Sequence, residues 1–224
     1  MKIFAASDSS LLVEFGDTVA PRLNARVLAL FRALMAEKDA RIRNLHPAYA
    51  SLLIDFDPLR MSHAELEAKV RRWVEDAPSE QNSGERTISI PVCYDAEFGP
   101  DLADVAAHND ISANEVIRLH TSGTYLVYFL GFSPGFAYLG GLPEKLRTPR
   151  LATPRGRVRA GSVGIAGEQT GVYPIDSAGG WRLIGRTPVT MFDPVADPPS
   201  RLQPGDRVRF TAIPRASYEE LASD

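Results

Sequence analysis

Six basic side chains, Lys145, Arg147, Arg150, Arg155, Arg157 and Arg159, follow one another with no acidic residue between them. A guanidinium group is planar and permanently charged, and it grips carboxylate or phosphate through two parallel hydrogen bonds. On a strand, the alternation of Arg155, Arg157 and Arg159 puts all three on one face, where water alone would also satisfy them. Arg150 and Arg155 stand apart, because each follows a proline in a turn-prone segment. Anion binding there weighs as much as solvation. Downstream, Gln169, Thr170 and Tyr173 offer an amide, a hydroxyl and a phenol within five residues. Gly179-Gly180 precedes Trp181, and such a pair either turns amide N–H groups toward an anion or simply turns the chain before a core tryptophan. His120 lies just upstream of this stretch and is the histidine best placed for acid–base work. These residues are expected to share one cleft. His120 and Arg150 would be its catalytic groups, and Arg155, Gln169, Thr170, Tyr173, Gly179, Gly180 and Trp181 its substrate contacts.

Other chemistries fit less well. Gly131-Phe132-Ser133-Pro134-Gly135 matches the G-x-S-x-G pattern of a nucleophile elbow. An elbow takes one oxyanion donor from the residue after the serine, and Pro134 has no N–H to give. A shaped turn beside a pocket is the better reading. The four histidines lack metal-ligand spacing and Cys93 is the only cysteine, so no metal site is expected. No G-x-x-x-x-G-K-[ST] loop is present, and a nucleotide would need a different kind of site.

The 224 residues are 44% hydrophobic, with a net charge of -3. That supplies one large core or two small ones, and no basic field that would suit nucleic acid. The lone cysteine fits a reducing cytosol, and a small buried hydrophobe is its expected role. Asp8 interrupts a very short apolar start, so no signal peptide is expected, and no apolar run approaches a membrane span. A cytoplasmic protein is expected.

The elements that must position the site follow from periodicity. Leu11 to Gly16 reads as a strand, and Ala20 to Lys38 as a helix with Leu23, Val27, Leu30 and Leu34 on one face. Ile42–His46 and Ser51–Phe56 read as strands. Ser62 and Glu65 form a capping box before a helix bearing Leu66, Val70 and Trp73. This is a small α/β sandwich, with Thr87–Val92 a candidate to complete it. The polar stretch 77–86 reads as a boundary between domains at 1–80 and 81–224. Beyond it come two short helices, 101–108 and 112–120. The chain then turns β-rich, with strands expected at 125–129, 157–165, 181–184, 190–192 and 207–213 and frequent glycines, as in closed barrels.

Several motifs in order resemble one family. They are Ser51-Leu52-Leu53-Ile54-Asp55-Phe56-Asp57-Pro58, Gly131 to Leu139, Thr148-Pro149-Arg150, Ala160 to Gly167, Gln169 to Pro174 and Gly180 to Pro188. Together they resemble the allophanate hydrolase subunit 1 family, which includes the B-type subunit of 5-oxoprolinase and the kinase inhibitor KipI, with related domains in urea carboxylases. Ala178 and Arg159 depart from it, standing where the family usually has proline. The resemblance implies an α+β protein with an N-terminal α/β domain and a C-terminal cyclophilin-like β-barrel. It also implies a second allophanate-hydrolase-type subunit and a third 5-oxoprolinase subunit as partners, in a complex that uses ATP to open 5-oxoproline to glutamate. Two other implied roles are a kinase-binding inhibitor without catalysis and a component of an allophanate- or urea-type hydrolase or carboxyltransferase.

Overall fold

In the computed structural model, residues 1–76 and 86–223 are described. The chain divides into two compact units, Met1–Gly84 and Glu85–Asp224. Except for Arg86, the polar stretch read as a boundary lies outside the described residues.

The first unit contains β1 (Lys2–Ser7), β2 (Ser10–Glu14), α1 (Pro21–Glu37), β3 (Ile42–Pro47), β4 (Ser51–Phe56) and α2 (His63–Asp76). Its strands form an antiparallel sheet in the order β1-β2-β4-β3. Side chains alternate across a strand, so Leu52, Ile54 and Phe56 share the inward face of β4. They join Val27, Leu30 and Leu34 of α1 and Leu66 and Val70 of α2 in one core. The capping box at α2 is reciprocal. The Ser62 hydroxyl accepts the Glu65 N–H at 3.2 Å, and the Glu65 carboxylate accepts the Ser62 N–H at 2.7 Å. Strand β1 carries little apolar alternation and is mostly exposed, so periodicity gave no sign of it.

The second unit contains β5 (Thr87–Val92), α3 (Leu102–His108), α4 (Ala113–Ser122), β6 (Tyr125–Leu130), β7 (Ala137–Gly140), β8 (Arg155–Val158), β9 (Ser162–Ala166), β10 (Gln169–Val172), β11 (Ser177–Gly179), β12 (Arg182–Arg186), β13 (Arg207–Ala212) and α5 (Arg215–Ser223). Seven strands make one sheet, β12-β9-β10-β7-β6-β13-β5, and β11 and β8 make a separate ribbon. The two edges of the large sheet meet just past the end of β5. There Cys93 N–H donates to the Arg186 carbonyl at 2.8 Å and Arg186 N–H donates back at 2.9 Å. The sheet is therefore a nearly closed barrel, filled by Val127, Leu139, Val163, Ile165, Ile184 and Phe210. Helix α3 packs against β12, and α4 against β13.

Three expectations are corrected. Thr87–Val92 does not complete the N-terminal sandwich; it pairs in parallel with β13 of the barrel. Residues 157–165 are not one strand, because Gly161 adopts φ +81° and separates β8 from β9. Residues 190–192 form no strand, only an isolated bridge from Phe192 to Ser200.

The capping box gives a test of the first unit. Ser62→Ala should cost it about 1 kcal/mol, the usual worth of such a cap. A lower urea midpoint with unchanged slope is the expected reading.

Candidate functional site

A cleft of about 270 Å³ opens on the second unit, lined by Phe132, Phe136, Tyr138, Arg150, Pro154, Tyr173, Ala178, Gly179, Gly180 and Trp181. Three separate stretches of chain supply it. The first is the loop that joins β6 to β7. Ser133 N–H donates to the Gly131 carbonyl at 2.8 Å while Phe132 sits at φ +69°, which makes a γ-turn of the rare, strained hand. A second turn follows, with Pro134 and Gly135 at its corners. It is closed by Phe136 N–H on the Ser133 carbonyl at 3.0 Å, with Gly135 at φ +80°. Proline then glycine is the composition this turn geometry demands. The chain continues as strand β7, whereas an elbow would continue as a helix, so Ser133 is a turn residue here. Phe132 is 63% exposed on the cleft wall, its ring edge-on to Phe136 at 5.5 Å.

Behind it, Phe136 is the hub of an aromatic cluster. Its ring meets Trp181 edge-on at 5.3 Å, Tyr138 at 5.1 Å and Tyr173 at 5.4 Å. Such edge-to-face pairs add to plain burial. Phe136 and Tyr138 lie two residues apart, around the start of β7, and reach the same cluster.

The polar groups of the cleft are few. Arg150 is the only charged residue in the lining. Among the described residues its side chain has no ion pair or hydrogen bond, while its neighbour Leu151 is tied to the Gly180 carbonyl at 2.8 Å. Tyr173 is 1% exposed. Burial raises its pKa, opposed by the nearby backbone N–H of Trp181 and by the positive charges of Arg150 and Arg155. The phenol therefore stays protonated near neutrality. Its own proton finds no acceptor among the described residues. Gly179 makes this arrangement possible, because a Cβ there would stand 2.2 Å from the phenol oxygen. Gly180 has no such neighbour; a Cβ would meet only Pro154, at 3.5 Å.

The shared cleft expected from sequence thus divides. Arg150, Tyr173, Gly179, Gly180 and Trp181 come together, whereas His120, Arg155, Gln169 and Thr170 do not line it. Arg155 stands close by, opposite Gly179 on the β8–β11 ribbon. Its Nη2 donates to the buried Asp101 carboxylate at 2.7 Å. The other Asp101 oxygen accepts Leu183 N–H at 2.7 Å, so one carboxylate fixes both Arg155 and β12. Arg159 lies beyond β8, so only Arg155 and Arg157 keep the strand alternation, and each has a carboxylate partner, Asp101 and Asp176.

His120 is fully buried within the barrel, stacked on Phe210 at 4.5 Å. Thr170 Oγ1 donates to the Gly164 carbonyl at 3.0 Å, which can only accept. It must therefore accept the proton on His120 Nε2, 2.9 Å away. His120 Nδ1 is then bare and accepts the Tyr94 hydroxyl at 2.7 Å. The chain Tyr94–His120–Thr170–Gly164 is satisfied only by a neutral imidazole of one tautomer. Burial with no counter-charge lowers the His120 pKa from 6.5 to about 3.

Residues 1–202 match the family model described as carboxyltransferase domain, subdomain C and D. The chain belongs to that family. It is 39% identical to the 5-oxoprolinase B-type subunit of Bacillus subtilis, over 94% of this chain and 92% of the relative. It is 55% identical to the Escherichia coli O157:H7 protein of the same name, over 63% of this chain and 65% of that one. Among solved structures, TTHA0988 superposes with a TM-score of 0.82 at 40% identity, covering 91% of this chain. The chain spans only 40% of TTHA0988. Among the described residues no helix is long and apolar enough to cross a membrane.

In this carboxyltransferase-type barrel, Phe132, Phe136, Tyr138, Asp101 and Tyr94 went unassigned in the sequence. The F-x-x-x-F-x-Y spacing was the available signal for the aromatic wall. Asp101 and Tyr94 gave none, because their partners lie 54 and 26 residues away.

Two expectations follow. Gly179→Ala should displace the Tyr173 phenol and cost about 1–3 kcal/mol as overpacking, while Gly180→Ala should stay within about 0.5 kcal/mol; thermal unfolding of both variants checks the contrast. His120 is neutral in the folded state and charges in the unfolded state below pH 6.5. Its contribution is therefore complete above that pH and is lost as pH falls toward 3, by about 1.4 kcal/mol per unit. The imidazole ¹⁵N shifts should show the neutral Nε2–H tautomer down to about pH 4, and a midpoint near 6.5 would refute the buried relay.

Proposed function

We propose that this chain is the B-type subunit of a 5-oxoprolinase, a hydrolase complex that opens the ring of 5-oxo-L-proline to L-glutamate at the expense of ATP in the cytoplasm. The observation that carries this reading is the 39% identity to a B-type subunit of 5-oxoprolinase across nearly the full length of both chains. A lactam amide is a poor electrophile, and activation by phosphoryl transfer is a chemically sensible use of ATP. The cleft itself does not fit a triphosphate, because its lining offers a single guanidinium. ATP is accordingly assigned to a partner. That TTHA0988 carries this region within a chain more than twice as long supports a partner, equivalent to the remainder, that binds as a separate subunit. A third subunit completes the proposed enzyme.

A kinase-binding inhibitor would need an exposed apolar patch, and Phe132 is 63% exposed. That ring also walls the cleft, which favours a ligand site over a flat docking surface. The test is reconstitution. The three subunits together should convert 5-oxo-L-proline to glutamate with ATP, and omission of this chain should abolish turnover. Full activity without it would overturn the proposal.

A further inference from the structure

We propose that the aromatic cleft is a recognition site for a compact monoanion with a flat ring amide, in which Arg150 takes the carboxylate and the Tyr173 hydroxyl donates to the amide carbonyl. This deepens the reading above and rests on it for the choice of probe.

Three observations point to this ligand class. The lining carries one positive charge and no negative one, and Arg150 has no carboxylate partner among the described residues. An unpaired guanidinium beside aromatic walls suits one carboxylate and disfavours a cation. A multiply charged phosphate would demand more donors. Second, the Tyr173 phenol lines the cleft and is packed in place against Gly179 and Phe136. The Trp181 N–H lies beside its oxygen, and no described residue offers an acceptor for its proton. Gly179 leaves the phenol just enough room, with a hypothetical Cβ 2.2 Å from the oxygen. Third, Phe132, Phe136, Tyr138 and Trp181 present ring faces and edges in a space of about 270 Å³. That is room enough for a small ring. Pockets of this kind, mostly apolar with a few converging polar groups, are the usual form of small-molecule sites.

The site is strained as well as shaped. Phe132 sits at φ +69°, a conformation costly for a bulky residue. Such strain persists where the surroundings over-determine it, and it clusters at ligand clamps.

The test uses the full chain with Trp73→Phe, which leaves Trp181 as the only tryptophan of the two. Its fluorescence is titrated with 5-oxo-L-proline, with 2-pyrrolidinone, which lacks the carboxylate, and with cyclopentanecarboxylate, which lacks the ring amide. The first should bind saturably, 2-pyrrolidinone about tenfold or more weaker, the usual worth of a charged hydrogen bond, and cyclopentanecarboxylate about three- to tenfold weaker, that of a neutral one. Arg150→Gln should abolish the preference over 2-pyrrolidinone, and Tyr173→Phe the preference over cyclopentanecarboxylate. Arg150 is exposed, so its variant should keep the parent's circular dichroism. Absence of a saturable response to all three probes, equal binding of the three, or unchanged preferences in the variants would each overturn the assignment. Turnover by the reconstituted complex that survives Arg150→Gln intact would overturn the site and leave the proposed function standing. Selective binding without turnover would do the reverse.

Discussion

Two backbone hydrogen bonds between Cys93 and Arg186 close the second unit, and the cleft depends on them. An open seven-stranded sheet would leave β12 as a free edge, with Trp181 at its start unsupported. Closure joins β12 to the end of β5. Asp101, just before α3, adds a second tie through the backbone of Leu183. With the strand held at both ends, Trp181 can wedge against Phe136. The loop 131–136, the segment 150–154 and the ribbon β8–β11 then have a rigid wall to build on. A site assembled from three loops gains accuracy only when a scaffold of this kind fixes them.

The same unit treats its polar groups in two opposite ways. Inside the barrel every member of the Tyr94–His120–Thr170–Gly164 chain is satisfied, and each bond dictates the next. A buried network of that sort rigidifies the core, but its imidazole is neutral and enclosed, and it has no proton to exchange with a ligand outside. In the cleft, Arg150 and the Tyr173 proton are left open among the described residues. The exposed Arg150 is hydrated there, whereas a buried hydroxyl such as that of Tyr173 is costly unless something else completes it. The contrast separates a histidine enclosed in the core from an arginine and a tyrosine that line the cleft.

The chemistry proposed for the complex is divided in the same way. One guanidinium and one phenol suffice to orient a small carboxylate. They do not suffice to hold a triphosphate or to stabilise its transfer, which needs several cations around the transferring group. A subunit that positions substrate while a partner supplies the nucleotide accords with both the lining and the length relation to TTHA0988.

Periodicity alone determined much of the first unit, because α1, α2 and β4 each bury one face and their apolar residues repeat at 3.6 or 2.0. The Ser62–Glu65 cap was legible for a similar reason, since both partners lie within one turn. Composition also marked residues 125–194 as glycine-rich with an anion-binding bias, and Arg150, Tyr173, Gly179 and Trp181 were expected in one cleft, which they line. Which residues share a cleft was decided by tertiary structure. His120 and Tyr173 are equally polar in the sequence, yet one points into a barrel and the other into a groove. Arg155 looked as free as Arg150 until Asp101, 54 residues earlier, arrived to hold it. Thr87–Val92 is a plain apolar strand, and only the parallel register with β13 assigns it to the barrel. Local pattern sets which face a residue presents. What that face meets depends on contacts between distant segments, which carry no signature in either segment alone.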